Sequence, residues 1–211
     1  MMDFWISWNH LEKDKMRDRV IQTILEKKVI AIVRGVYDEQ CVLLAETLHD
    51  GGVDLLEVTF PQDDPVGQKA TLRTIRKLVS TLGKDMLFGA GTVTTEKMVR
   101  SAKEAGATFI VSPDTNRKVI EATAAFDMVS IPGALTPTEM KTAWDYGADF
   151  VKVFPANLFG PAYIKTVRAP LSQIRLLAVG GVNNDTMKDY LAAGAVGAGV
   201  ACCLFKKEWV E

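Results

Sequence analysis

The 211-residue chain holds three cysteines and two histidines, too few for a disulfide framework or for the Cys/His spacings that bind a structural metal. Cys202 and Cys203 are adjacent, where a mutual bridge is strained, so reduced thiols are expected. His10 and His49 have no ligand spacing with the cysteines, and no metal site is expected. A surplus of one charge is also missing. Lys+Arg at 25 against Asp+Glu at 26 give a formal net charge of −1, without the basic excess that nucleic acid or an anionic membrane surface demands. No uncharged apolar run approaches the roughly 18 residues of a membrane helix, and the opening Met1-Met2-Asp3 carries an acid where a secretion signal has its basic end. Nucleic acid and membrane are therefore not expected partners, and a cytoplasmic location is expected. A Walker loop, a Gly-x-Gly-x-x-Gly turn and a Gly-x-Ser-x-Gly elbow are all absent, which argues against nucleotide and serine-hydrolase chemistry.

What the chain does have is alternation. Eight β-rich runs, at 29–33, 55–59, 87–90, 109–112, 128–131, 150–154, 176–179 and 195–200, start 19 to 32 residues apart, about the length of one strand, one helix and two short loops. That pattern predicts parallel strands joined by crossover helices, closed into a (β/α)8 barrel. A weak internal repeat agrees with it. Gly52, Gly106, Gly147 and Gly194 each precede Ala or Val and then an apolar strand start, as expected of glycines that end helices in the left-handed region. These mark the bottom of the barrel, and chemistry is expected at the opposite, C-terminal ends of the strands.

Residues 1–28 are expected to form an N-terminal helical extension, capped by Asn9, whose Leu11, Met16, Val20, Ile24 and Leu25 pack under the barrel. Residues 29–211 then form the catalytic barrel. The last strand run is followed by eleven residues, 201–211, and a full eighth helix is not expected there.

Two charges stand out inside apolar strands. In Phe150-Val151-Lys152-Val153-Phe154, period-2 alternation places Lys152 on the face of Phe150 and Phe154. Burial disfavours an ammonium and lowers its pKa, giving an amine able to attack a carbonyl. The same position also suits a structural ion pair or a lysine reaching to a strand end. Glu57 sits likewise between Leu55 and Thr59 on one face of the second strand. It reads either as the counter-ion of Lys152 or as the carboxylate that moves protons while an amine condenses with a ketone.

The remaining strand tips supply recognition groups. Arg34 offers a carboxylate-matching fork, and Gly89-Ala90-Gly91-Thr92 is expected to let backbone approach a ligand and present the Thr92 hydroxyl. Gly180-Gly181-Val182-Asn183-Asn184-Asp185 exposes successive N–H groups before a helix that Asn184 or Asp185 is expected to cap, as in an anion cradle or a plain turn.

From Val29 through Leu204 the chain resembles the class I 2-keto-3-deoxy-6-phosphogluconate / 4-hydroxy-2-oxoglutarate aldolases. The resemblance rests on Ala31-Ile32-Val33-Arg34-Gly35, Leu56-Glu57-Val58-Thr59, Gly89-Ala90-Gly91-Thr92-Val93, Val111-Ser112-Pro113, Ile131-Pro132-Gly133, Lys152-Val153-Phe154-Pro155-Ala156 and Gly180-Gly181-Val182, in the family's order and spacing. It implies a TIM barrel, commonly a homotrimer, acting on a small 2-oxo acid without a cofactor. By the same correspondence Lys152 forms the imine, Glu57 is the general acid/base, Thr92 holds the pyruvate carboxylate, and Phe154 and Pro113 line the pocket.

Three polar anchors of that family depart here: Pro61 stands where many members carry arginine, Val179 where many carry threonine, and Gly199-Val200-Ala201 where Gly-Ser binds phosphate. Gly180, Gly181 and Gly199 remain as candidate anion-binding backbone. The expected reaction is reversible cleavage of a 4-hydroxy-2-oxo acid to pyruvate and an aldehyde. The alternatives are the same imine chemistry on another sugar acid, such as the phosphogalactonate epimer, and a barrel that binds a 2-oxo acid without turning it over.

Overall fold

The structure, a computed structural model, describes residues 16–201 and 204. A helix at 16–27 (α1) is followed by β1 (Val29–Val33), α2 (Asp38–Asp50), β2 (Leu55–Thr59), α3 (Pro65–Leu82), β3 (Leu87–Gly91), α4 (Glu96–Glu104), β4 (Phe109–Val111) and α5 (Arg117–Ala125). Then come β5 (Val129–Ile131), β6 (Gly133–Ala134), α6 (Pro137–Asp145), β7 (Val151–Val153), α7 (Gly160–Arg168), β8 (Leu176–Val179), α8 (Met187–Ala192) and β9 (Gly197–Val200). All strand pairs are parallel, in the order β5-β4-β3-β2-β1-β9-β8-β7-β6. The two ends of this sheet are consecutive in the chain, so the strands close into a barrel.

The expected fifth strand is two strands. Proline has no N–H to give to a ladder, and at Pro132 the chain changes neighbours: β5 pairs with β4, while β6 pairs with β7. The Pro132 carbonyl still accepts from Lys152 N at 2.8 Å, which joins the broken strand to the strand of the buried lysine. Three of the remaining runs, at 29–33, 55–59 and 176–179, keep the limits of the sequence pattern, and the others shift by one or two residues. The sixth run shortens to Val151–Val153 and the last begins at Gly197.

The four repeat glycines have φ of 88°, 95°, 96° and 104° at Gly52, Gly106, Gly147 and Gly194, the left-handed turns expected of helix ends. At helix starts, Asp64, Thr95 and Asn116 accept backbone N–H groups, and Thr136 forms a capping box with Glu139. The expected cap of α8 by Asn184 or Asp185 is not formed. The residue before the helix is Thr186, with no side-chain cap hydrogen bond, and Asn183 Oδ1 instead closes the preceding turn by accepting from the N–H groups of Asp185 and Thr186, each at 3.0 Å.

Period-2 alternation sorts the strand side chains into two environments. Outward residues such as Leu56, Val58 and Ala178 pack under the helices. Inward residues Ile30, Leu55, Leu87, Phe109, Val129, Phe150 and Leu177 form an apolar plug with Val20, Ile21 and Ile24 of α1. The helix therefore seals the barrel from below. Arg17 fixes it there through a 2.6 Å ion pair with the buried Asp149, whose second oxygen accepts from Ser130 N at 2.9 Å. The expected Asn9 cap and Leu11 contact fall outside the described residues, as do Cys202, Cys203 and the chain after Leu204. Among the described residues, no helix is long and apolar enough to cross a membrane.

Candidate active site

Above the plug, at the C-terminal ends of the strands, lies a cavity of about 230 Å³. Nine candidate residues named from the sequence line it: Arg34, Glu57, Thr92, Pro113, Lys152, Phe154, Gly180, Gly181 and Gly199. They come from separate strands and loops, and barrel closure brings them together. Ile32, Val179, Val182 and Ala201 complete the wall. Ile32 was legible as the inward neighbour of Arg34 by alternation, though no chemical property marked it.

Lys152 is 7% exposed and Glu57 3% exposed. Among the described residues, neither side chain makes a hydrogen bond or an ion pair within 4.0 Å. Burial holds the Lys152 amine below the usual lysine value, with Arg34 acting in the same direction and Glu57 opposing it. Burial likewise pushes the Glu57 carboxyl up to about 7, against the pull of Lys152 and Arg34. Both groups are thus brought towards neutrality, where an amine is nucleophilic and a carboxyl exchanges protons readily. The Lys152 Nζ lies 4.4 Å from the centroid of the Phe154 ring, itself partly exposed at the mouth. Arg34 is exposed at the rim, with no hydrogen bond or ion pair among the described residues.

The glycine run of β3 works differently from the sequence expectation. A β-carbon at Gly89 would lie 2.3 Å from the Phe109 ring, and one at Gly91 would lie 2.6 Å from Glu57 Oε1. These glycines make room for protein groups, the floor of the plug and the buried acid, rather than for a ligand. The Gly180-Gly181 turn is left-handed at both residues, with φ of 97° and 71°. It packs against the loop after β7, where Gly180 O accepts from Asn157 N at 3.1 Å.

Residues 20–211 match the family described as "Aldolase: KDPG and KHG aldolase". The chain belongs to this family. It is an aldolase, a carbon–carbon lyase built on a TIM barrel. It is 34% identical over 179 residues to the 2-dehydro-3-deoxy-6-phosphogalactonate aldolase of Escherichia coli K12, covering 84% of each chain. It is 30% identical over 185 residues to the 2-dehydro-3-deoxy-phosphogluconate aldolase of Haemophilus influenzae, covering 87% of this chain and 82% of the relative. Among solved structures, the KDPG aldolase of Legionella pneumophila, with pyruvate captured as a covalent carbinolamine intermediate, superposes with a TM-score of 0.76 at 29% identity. It covers 87% of this chain and 86% of its own.

Two of the aldolase's three departures lie on the cavity wall. Val179 and Ala201 give the side around Gly199 an apolar surface where the resemblance led to an expectation of hydroxyls. At the position of the missing arginine, Pro61 continues into Gln62, which the sequence did not single out. Gln62 Nε2 donates to Thr92 O at 2.9 Å and to Phe60 O at 3.3 Å.

Proposed function

We propose that Lys152 is the Schiff-base nucleophile and Glu57 the proton-transfer group of this aldolase. The observation that carries the reading is a buried lysine held below its usual pKa beside a buried carboxyl raised to about 7, unpaired in one cavity. The Nζ lone pair attacks C2 of a 4-hydroxy-2-oxo acid, and the carbinolamine loses water to give an iminium. The iminium draws the electrons of the C3–C4 bond as Glu57, through a water, takes the C4 hydroxyl proton. The aldehyde departs, the enamine is protonated at C3, and water releases pyruvate from Lys152. No step requires a metal or an organic cofactor.

Thr92 and Arg34 serve the substrate carboxylate in this reading, Pro113 and Phe154 shape the pyruvate end, and Gly180, Gly181 and Gly199 present backbone to the distal end. Substrates are 2-keto-3-deoxy-6-phosphogluconate or 4-hydroxy-2-oxoglutarate, with the phosphogalactonate epimer as the second reading, favoured by the 34% identity to the phosphogalactonate aldolase. Loss of a hydroxyl at Val179 and Ala201 favours acids anchored otherwise than by two side-chain hydroxyls. We further propose the sequence-based division at residue 28, a homotrimer, and action in the cytosol.

Incubation with pyruvate and borohydride, followed by mass measurement and peptide mapping, tests the chemistry. A stable adduct on Lys152 is the expected result, and no adduct at millimolar pyruvate leaves the non-catalytic 2-oxo-acid-binding barrel. Steady-state rates on the phosphorylated epimers and on 4-hydroxy-2-oxoglutarate rank the substrates.

A further inference from the structure

Thr92 lines the cavity with φ of 58°. A β-branched side chain in the left-handed region is strained, and such strain persists only where surrounding contacts enforce it. Here the Thr92 carbonyl itself is held by one amide. Gln62 Nε2 donates to Thr92 O at 2.9 Å and to Phe60 O at 3.3 Å, and Thr94 Oγ1 donates to Gln62 Oε1 at 2.9 Å. A second amide fixes the base of this clamp, because Gln68 Nε2 donates to Pro61 O at 3.0 Å and to Gln62 O at 3.1 Å. Phe60 N donates to Gly91 O at 2.9 Å, tying the same two loops together one residue earlier. The loop after β2 is therefore bound to the loop after β3 on both sides of Thr92, next to the position that holds Pro61 instead of an anion-binding arginine.

We infer that Gln62 is a positioning residue for carboxylate recognition, holding Thr92 in its left-handed conformation so that the carboxylate of a 2-oxo acid meets a preorganised partner. The inference rests on the proposed role of Thr92 in the Lys152 imine reaction. Gln62 acts on the carboxylate end and leaves the amine and Glu57 untouched. Preorganisation of this kind changes how tightly a substrate seats, with little effect on the bond-making step once it is seated.

The experiment titrates borohydride-trapped adduct against pyruvate and against pyruvamide, its neutral isostere, for the wild-type protein and the Gln62→Met variant. Methionine keeps the length of the side chain and removes both hydrogen-bonding ends. The half-saturating pyruvate concentration is expected to rise about tenfold, with the maximal trapping rate within about twofold, and the pyruvamide titration is expected to be unchanged. Thr94→Val, which removes the hydroxyl that orients Gln62 Oε1, is expected to move pyruvate in the same direction by a smaller factor. Equal half-saturation in wild type and Gln62→Met overturns the inference alone. A parallel loss for pyruvate and pyruvamide, or a fall in maximal rate, also overturns it, because the clamp then supports the fold or the chemistry. Absence of a Lys152 adduct in the wild type overturns the aldolase reading of the site first, and the inference with it.

Discussion

The carboxyl of Glu57 rests on the bare backbone of Gly91, where a β-carbon would stand 2.6 Å from Oε1. The acid is therefore held by the lack of a neighbouring side chain, and no hydrogen bond or ion pair fixes it among the described residues. Gly91→Ala is expected to displace the carboxyl and slow turnover by about 10²-fold, while borohydride trapping at Lys152 survives. Unchanged turnover in this variant contradicts the reading of Glu57 as the proton-transfer group.

Removing the amine tests the centre of the mechanism. Lys152→Met is expected to abolish adduct formation and lower turnover by at least about 10³-fold. The fold should be kept, because an apolar side chain of similar length replaces a buried cation. Near-UV circular dichroism checks the fold, and residual turnover above that level points to another nucleophile.

Glu57→Gln carries a pH signature. The folded-state pKa of about 7 lies above the ordinary value of 4.5, so the folded protein holds a proton that the unfolded chain has lost. The stability associated with the neutral acid is fully present below pH 4.5 and is lost as pH rises through 7. Glutamine stays neutral throughout, so its stability advantage is expected to grow across pH 4.5 to 7, to the order of 3 kcal/mol. Turnover falls by about 10²–10⁴-fold. Denaturant unfolding at both ends of the window measures the first effect.

Among the described residues, Arg17→Met leaves Asp149 buried with the Ser130 N–H as its remaining hydrogen-bond donor and Arg175 as a more distant favourable charge. Arg17 is 35% exposed on its side chain, so the expected loss is about 2 kcal/mol, below that of a fully buried pair. Burial raises the Asp149 pKa, and without Arg17 it rises further. The deficit is therefore expected to shrink as the pH is lowered and Asp149 takes up a proton, which urea midpoints at pH 7 and pH 4.5 will measure.

Thr59 Oγ1 is buried without a hydrogen-bond partner among the described residues. Thr59→Val removes that desolvated hydroxyl at nearly constant volume. It is expected to stabilise the protein by about 1 kcal/mol, read as a higher thermal midpoint.

Much of the site was legible because its signals are local. Lys152 and Glu57 each break an apolar strand, and alternation alone gives the face they share with Phe150 and Leu55. The left-handed glycines at helix ends were equally legible, since Gly52, Gly106, Gly147 and Gly194 recur before four of the strand starts. Other features have no local signature. Pro132 marked an interruption without saying that the strand would change neighbours there, and the role of Gln62 depends on a loop 30 residues away.

Period, composition and the conformational limits of glycine and proline belong to single residues and their near neighbours, and from them the sequence by itself determined an eight-unit barrel with an amine and an acid facing inward. Only the tertiary structure decided what fills the space beside each of them. Gly89 seats the Phe109 ring, Gly91 seats the Glu57 carboxyl, and α1 closes the floor of the barrel. These outcomes depend on which segments lie side by side once the barrel closes, a relation between distant parts of the chain that no local pattern records.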